Sequence, residues 1–307
     1  MMIFKDLQSC FLSPSVATIG FFDGVHCGHK FLIRQVCEVA RVRNLSSLLI
    51  TFPMHPRMVM QSDYQPRLLS TFDEKCSLLS CTDVDSCVAL PFTHELASLS
   101  ARDFMRLILR DRLKVRTLVI GYDHRFGHNR SEGFADYVRY GEELGIEVLQ
   151  AEALVMNDIH VSSSVVRAFL DAGEVCMAAR CLGYDYFLDG VVVTGQQIGR
   201  TLGFPTANIQ VNDSLKLIPA DGVYFVRVRL DGQAYKGMLN IGCRPTIDKD
   251  THRTIEVHLL HFDGDLYGSM LRIEFVRRIR GEQHFHSRDA LIHQLRYDAV
   301  ICDREEI

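Results

Sequence analysis

Two patterns of apolar residues divide the chain. Over residues 14–181, short continuous apolar runs alternate with segments in which apolar residues recur every three or four positions. A continuous run is typical of a strand buried on both faces, and the recurrence is typical of an amphipathic helix. This alternation predicts an α/β domain with a parallel sheet. The predicted strands are residues 16–20, 47–52, 87–90, 117–120 and 146–149, and the predicted helices are residues 29–44, a helix that Thr71 begins and one from Ser100 to Leu109.

A second pattern begins near Gly190, where the strand-like segments become longer. Asp-Gly dipeptides at residues 231–232 and 263–264 separate these segments and are typical of two-residue β-turns. Several such strands predict a small antiparallel barrel with hairpins at both dipeptides. Ser287 is then expected to cap a C-terminal helix.

Length, charge and cysteine usage limit the class of protein. A chain of 307 residues suits two domains of about 150 residues, which we place at residues 1–182 and 183–307. The net charge of -4 and the lack of a long apolar run favour small-molecule ligands over nucleic acid or a membrane. None of the 10 cysteines forms Cys-x-x-Cys, so we expect buried free thiols in a cytoplasmic protein. The sequence gives no sign of an obligate protein partner, and we expect none.

Glycines and histidines follow the first predicted strand. This glycine–histidine segment, residues 20–29, leads into a predicted helix whose free N–H groups can bind a phosphate. His26 and His29 lie three residues apart, so they share one side of a helical turn and can both donate to phosphate oxygens. A zinc-binding pair and two unrelated surface histidines stay open as alternatives, although zinc requires further ligands. The phosphate-site candidates here are Gly20, Phe22, Asp23, Gly24, His26, Gly28 and His29.

Two further segments are expected at the same edge of the sheet. Residues 121–127 follow the fourth predicted strand, and residues 162–167 place three serines and Arg167 at a helix start. Ligands of open parallel sheets bind at the carboxyl ends of the strands. The serine run is first of all an N-cap, a role that can coexist with phosphate binding.

A second candidate site lies in the barrel half. Residues 195–208 are rich in glycine and can form a phosphate cradle, or simply a hairpin turn. Thr206 and Asn208 point the same way in an extended chain and offer neutral oxygen ligands for Mg²⁺. Alternation in residues 254–259 sends Glu256 to the face opposite the apolar one, where it is either functional or merely solvated or paired with an arginine.

These motifs together resemble one family. Asp-Gly-x-His-x-Gly-His at residues 23–29 resembles the nucleotidylyltransferase signature. With Tyr-Asp-x-Arg-Phe-Gly from residue 122, Gly-Arg-x-Leu-Gly-Phe-Pro-Thr-Ala-Asn at residues 199–208 and Asn-Ile-Gly-Cys-Arg-Pro-Thr from residue 240, the chain resembles the prokaryotic bifunctional riboflavin kinase/FAD synthetases. The resemblance implies a Rossmann-like nucleotidylyltransferase domain followed by a riboflavin kinase barrel. It also implies ATP and Mg²⁺, with riboflavin, FMN and FAD as substrates and products.

The resemblance also implies residue roles. In the first half it makes His26, His29 and Arg167 catalytic and adds Asp123, Ser162, Ser163 and Ser164 to the ATP-binding residues, with His55, Arg125 and Phe126 on the flavin side. In the second half it makes Glu256 the catalytic base and Thr206 and Asn208 the Mg²⁺ ligands, with Gly195, Gly199, Arg200, Gly203 and Pro205 around ATP and Asn240 and Arg244 beside the flavin.

Two other functions stay open at this stage. The family commonly has Asp-Pro where this chain has Pro53 and Met54, and Phe where it has His124. A riboflavin kinase with a degenerate adenylyltransferase half is therefore one alternative. A non-catalytic flavin-binding sensor is the other, although storage of a ligand requires neither a base nor a metal site.

Overall fold

The computed structural model describes residues 1–5, 13–122, 124–128, 131–156, 159–195, 198–244 and 252–306. The chain divides into two compact units, Met1–Ser163 and Ser164–Ile307. Among the helices within those described ranges, none is both long and apolar enough to cross a membrane.

The first unit is built on a parallel sheet, as the sequence predicts, with six strands rather than the five predicted, because Met2–Phe4 adds an edge strand. Its strand order is β1-β4-β3-β2-β5-β6, so the chain moves to one side of β2 through β3 and β4 and to the other side through β5 and β6. Every residue of β2 is buried, which explains its continuous apolar pattern. The strands are β1 Met2–Phe4, β2 Ser15–Ile19, β3 Ser46–Thr51, β4 Ser86–Ala89, β5 Val115–Ile120 and β6 Glu147–Gln150, and a separate hairpin pairs β7 Val155–Met156 with β8 Ile159–His160.

Side chains of capping residues mark the starts of two helices in this unit. Thr71 begins α3 as predicted and forms a capping box with Glu74, and the Ser100 side chain accepts a hydrogen bond from the Asp103 N–H. The helix after Ser100 changes to π-helical geometry at Met105–Arg110, which the sequence pattern does not predict. The helices are α1 Cys27–Arg43, α2 Pro56–Met60, α3 Phe72–Ser80, α4 His94–Ser98, α5 Ala101–Phe104 and α6 Phe134–Leu144.

The second unit contains the predicted closed antiparallel barrel, with order β10-β13-β12-β11-β14-β9. Its strands are β9 Phe187–Val193, β10 Ala207–Gln210, β11 Gly222–Leu230, β12 Gln233–Arg244, β13 His252–Leu259 and β14 Met270–Arg280. Its helices are α7 Ser163–Asp171, which begins at the unit boundary, α8 Val175–Leu182, α9 Ile198–Thr201 and α10 Arg288–Arg304. Ser287 caps α10 as expected, since its side chain accepts from the Ala290 N–H.

One of the two predicted hairpins is present. Leu230 pairs with Gln233, so the Asp-Gly dipeptide at 231–232 forms a two-residue turn with positive φ at both positions. The hairpin predicted at residues 263–264 is wrong, because β13 pairs with β10 and β12 while β14 pairs with β11 and β9. Closing the barrel requires β14 to fill the gap between β11 and β9, which would otherwise be two open edges. Residues 260–269 form the connection.

Candidate active sites

The glycine–histidine segment leaves β2 through a tight left-handed turn. Phe22 has φ 55, Gly24 φ 73 and Val25 φ 37, and residues Asp23–Val25 form one turn of 3-10 helix. Two of these three residues are not glycine, so the surrounding structure must hold the turn in place. This turn lies at the carboxyl end of β2, beside β5, where the strand order reverses and ligands of such sheets bind.

Asp23 anchors this turn to two distant segments. The side chain is 3% exposed, and its carboxylate accepts hydrogen bonds from the backbone N–H groups of Leu69 at 3.0 Å and Ser70 at 3.0 Å. The backbone carbonyl of Asp23 accepts from the Ser163 hydroxyl at 3.0 Å. The geometry therefore gives Asp23 a role in fixing the turn, and its expected part in phosphate binding stays a prediction.

The two histidines lie together at the start of α1. Their rings stack with centroids 3.6 Å apart, and His26 Nδ1 accepts from the His29 backbone N–H at 3.2 Å. Burial, followed by the nearby His26 and Lys75, lowers the pKa of His29 well below its usual value, so the ring is neutral at pH 7. His29 Nδ1 is buried without a hydrogen-bond partner within the described residues. A buried ring nitrogen without a partner is suited to form a hydrogen bond with a polar ligand.

The serine segment meets this turn. A Cβ atom on Gly28 would lie 3.1 Å from the Val161 carbonyl oxygen, so these backbones approach closely. Ser162 follows Val161, and Ser163 bonds to Asp23 as described above. Further along α7, the Ser164 side chain is exposed and the Arg167 side chain is half-buried.

The flavin-side candidates of this half lie in different environments. His55 accepts from the Arg57 N–H at 3.2 Å, and its ring contacts Phe21 edge-on at 4.8 Å. The Arg125 side chain is exposed, whereas Phe126 is buried and stacks on Tyr137 with centroids 4.2 Å apart. Phe126 is thus part of the core, and its expected contact with flavin stays a prediction.

Two of the predicted site residues cannot be placed in this way. Asp123 and the side chain of Arg244 lie outside what the structure describes. In the described part of the chain, no group of three His, Cys, Asp or Glu side chains is arranged to hold a metal ion.

In the barrel, three polar residues form a row across neighbouring strands. Asn208 of β10 pairs directly with Glu256 of β13, and Glu256 pairs directly with Asn240 of β12. Directly paired residues project from the same face of a sheet, so the carboxylate lies between two amides. The Thr206 hydroxyl donates a hydrogen bond to Glu256 Oε2 at 3.1 Å. Ile255 and Val257 are buried on the other face, as the alternation predicts.

Two glycines let the cradle approach this row. A Cβ atom on Gly195 would collide with the Asn208 amide, and one on Gly199 would collide with the Phe204 carbonyl oxygen and lie 3.0 Å from Thr206 Oγ1. The glycines are therefore required by close packing against the candidate metal ligands, which a simple hairpin turn would not require.

A cavity of about 450 Å³ opens beside Thr206. Its lining includes Arg200, Pro205 and the loop from Phe262 to Tyr267. No candidate site residue lies in this loop, although residues 262–268 also resemble the kinase family's pattern; the barrel closure that pairs β14 with β11 and β9 brings the loop to the cavity. Thr206 therefore stands between the cavity and the carboxylate of Glu256.

The fold and the two sites define a two-part transferase that uses nucleotides, with an α/β half and a barrel half. Residues 9–165 match the model of the FAD synthetase family, and residues 182–304 match that of the riboflavin kinase family. The chain belongs to the family of bifunctional riboflavin kinase/FMN adenylyltransferases.

Relatives from distant bacteria agree with this assignment. The bifunctional riboflavin kinase/FMN adenylyltransferase of Pseudomonas fluorescens is 38% identical over 90% of this chain and 88% of its own length. The Bacillus subtilis protein of the same name is 33% identical over 93% of this chain and 90% of its own. A crystal structure of a protein named as a macrolide-efflux protein from Streptococcus pneumoniae has a TM-score of 0.89 and 29% identity over 99% of both chains.

Proposed function

We propose that the chain makes FAD in two steps, each at one of the sites described above. The barrel transfers the γ-phosphoryl group of ATP to riboflavin and gives FMN. The α/β half then transfers AMP from a second ATP to FMN and releases pyrophosphate. The single observation that carries the kinase step is the row of Asn208, Glu256 and Asn240, with Thr206 bonded to the carboxylate. The adenylyl-transfer step rests on the paired histidines at the start of α1.

In the barrel, Glu256 acts as the general base. Its carboxylate takes the proton of the ribityl 5′-hydroxyl group, whose oxygen attacks the γ-phosphorus while the bond from that phosphorus to ADP breaks and ADP leaves. The neutral oxygens of Thr206 and Asn208 suit a Mg²⁺ ion, which would neutralise charge on the phosphates. Gly195 and Gly199 allow the backbone N–H groups of the cradle to approach those phosphates, and the cavity beside Thr206 accommodates ATP. Asn240 and Arg244 are the flavin-side residues.

In the α/β half, catalysis consists of positioning and charge stabilisation. The FMN phosphate is already anionic, so its attack on the α-phosphorus of ATP requires no general base. His29 is neutral at pH 7 because burial lowers its pKa, so we assign it to hydrogen bonding with the phosphates. His26, the serines at residues 162–164 and Arg167 complete the phosphate contacts.

Three further expectations from the sequence are also proposals: the domain boundary, the flavin-side residues of the α/β half, and the location and partners of the protein. We place the domain boundary between residues 182 and 183. We assign His55, Arg125 and Phe126 to the flavin side of the α/β half. We also propose a cytoplasmic protein without nucleic-acid, membrane or obligate protein partners. The free thiols of the eight cysteines that the structure describes support this location, although the expected burial holds only for Cys87, Cys181 and Cys302 and is wrong for the other five.

Analysis of the flavin products distinguishes the proposed function from the two alternatives, a riboflavin kinase only and a flavin-binding sensor. Riboflavin, ATP and Mg²⁺ are incubated with the full chain, and flavins are resolved by chromatography. FAD is the expected product. Accumulation of FMN alone would support a kinase with a degenerate first half, and unreacted riboflavin would support a binding protein. The match of residues 9–165 to the FAD synthetase family favours FAD.

Removal of both proposed metal ligands should weaken the use of Mg²⁺ by the kinase. Thr206→Ala combined with Asn208→Ala removes two oxygen donors, so the Mg²⁺ concentration for half-maximal FMN formation should rise at least about tenfold, the cost of losing even an outer contact. The measurement is a Mg²⁺ titration of FMN formation. Asn212→Ala is the matched control, since Asn212 is exposed just beyond β10. An unchanged titration would show that Thr206 and Asn208 only shape the turn.

A further inference from the structure

A buried lysine joins two loops at the edge of the parallel sheet. Lys75 of α3 is 2% exposed, and its Nζ donates hydrogen bonds to the carbonyl oxygens of Phe21 at 3.0 Å and Phe52 at 2.8 Å. Phe21 lies in the glycine–histidine segment after β2. Phe52 begins the His55 loop, residues 52–55, after β3. One ammonium group therefore ties together the two loops that border the proposed nucleotide site.

Core packing alone does not explain a charged group in this place. Lysines are almost never fully buried unless they are paired, because the ammonium loses its hydration. The Nζ lies 4.0 Å from the centroid of the Phe21 ring, so the lysine also fixes this side chain. A methionine would fill a similar volume without the cost of burying a charge. The presence of lysine therefore points to a use for its charge and its donors.

The positive charge of Lys75 exerts an electrostatic effect at the proposed phosphate site. Its nearness contributes to the lowered pKa of His29, so the ammonium lies within electrostatic range of that ring. Because His29 is neutral, it adds hydrogen bonds but no charge. Positive charge beneath the turn comes instead from Lys75, which a bound triphosphate would experience in a poorly hydrated environment.

We propose that Lys75 is a positioning residue for adenylyl transfer: it fixes the spacing between the glycine–histidine segment and the His55 loop and places positive charge beneath the phosphates. The inference rests on the proposed function of the α/β half. It extends that function, because no motif in the sequence distinguishes Lys75 from any other helix residue.

If Lys75 has this role, the rate of FAD formation should depend on the charge of its amine and therefore on pH. Burial lowers the pKa of Lys75 to about 8, so the amine is charged below that pH and neutral above it. Hydrogen bonds from a charged donor are roughly twice as strong as neutral ones. The link between the loops therefore weakens as the pH rises through about 8. The groups around Lys75 are Asp23, His29, Cys76 and Cys87, and Lys5, whose Nζ lies 5.7 Å from the centroid of the Phe72 ring that Lys75 also contacts.

The two thiols and the His29 ring do not gain or lose a proton near pH 8. Burial raises the pKa of the Cys76 thiol, and it raises that of Cys87 to about 12, so both stay neutral there. The His29 ring is already neutral. The Asp23 carboxylate favours the charged form of Lys75 and opposes the effect of burial. A loss of activity above pH 8 would therefore reflect the loss of the proton from Lys75.

The test compares Lys75→Met and Lys75→Arg in the full chain, with Lys114→Met as the control because Lys114 is exposed in the same unit. At pH 7, Lys75→Met should lower kcat/KM for conversion of FMN to FAD by roughly 10- to 100-fold, the usual cost of misplaced reacting groups. Lys75→Arg should retain more activity and keep it at pH 9. FMN formation from riboflavin, measured on the same preparations, should stay within about twofold and reports that the chain is folded.

The pH profile supplies the second readout. Wild-type FAD formation should fall about tenfold between pH 7 and pH 9, while Lys75→Met should be slow and flat over this range. Equal rates for Lys75→Met and Lys114→Met would overturn the inference. A flat wild-type profile would overturn it as well, even if Lys75→Met failed to fold. Absence of FAD from the wild-type reaction would instead contradict the proposed function of the α/β half.

Discussion

Glu256→Gln is expected to lower FMN formation by roughly 10²- to 10⁴-fold, the usual contribution of a general base. Glutamine keeps the size of the side chain and can still accept a hydrogen bond from Thr206, but it cannot take the proton of the ribityl hydroxyl group. The row of paired residues from Asn208 to Asn240 should persist, because the backbone register of β10, β13 and β12 holds it. The loss should therefore appear in kcat more than in the affinity for ATP.

Two controls make this result specific. Glu274→Gln changes another strand carboxylate of the barrel, one that is paired with Arg227 and Arg229, and should leave the chemistry of the kinase intact. Supplied FMN should still be converted to FAD by the Glu256 variant. Kinase turnover near that of the wild type would show that Glu256 is not the base.

The double variant His26→Ala with His29→Ala should abolish most FAD formation. Loss of one preorganised donor to a developing charge costs about 10²- to 10³-fold, so loss of both should exceed roughly 10³-fold. The stacked rings share one place at the start of α1, and the His26 ring also caps that helix. The measurement is FAD and pyrophosphate release from FMN and ATP.

FMN formation from riboflavin is the internal control for the histidine variant, since the kinase residues all lie in the barrel. His94→Ala, which removes an exposed histidine of the same unit, is the matched control and should retain activity. If the double variant made FAD at the wild-type rate, the phosphate site would have to lie elsewhere.

The amino-acid sequence determined what depends on neighbouring residues. Buried strands, the capping box of Thr71 and Glu74 and the Asp-Gly turn at residues 231–232 follow from interactions within a few positions along the chain. The pairing of His26 with His29 is equally local, although it comes from the N-cap and not from the predicted shared helical turn, since His26 has an extended backbone and accepts from the His29 N–H. The alternation around Glu256 follows from strand periodicity. Such features could therefore be predicted.

Tertiary structure decided which distant segments meet. Asp23 bonds to Leu69 and Ser70, and Lys75 reaches the carbonyl oxygens of Phe21 and Phe52. These partners have no fixed spacing, because only the packing of α3 on the sheet brings them together. Strand order in the barrel is decided in the same way: a local turn signal at residues 263–264 yields to the closure that pairs β14 with β9 and β11. Long-range hydrogen bonding thus prevails over a local preference wherever open sheet edges would otherwise remain.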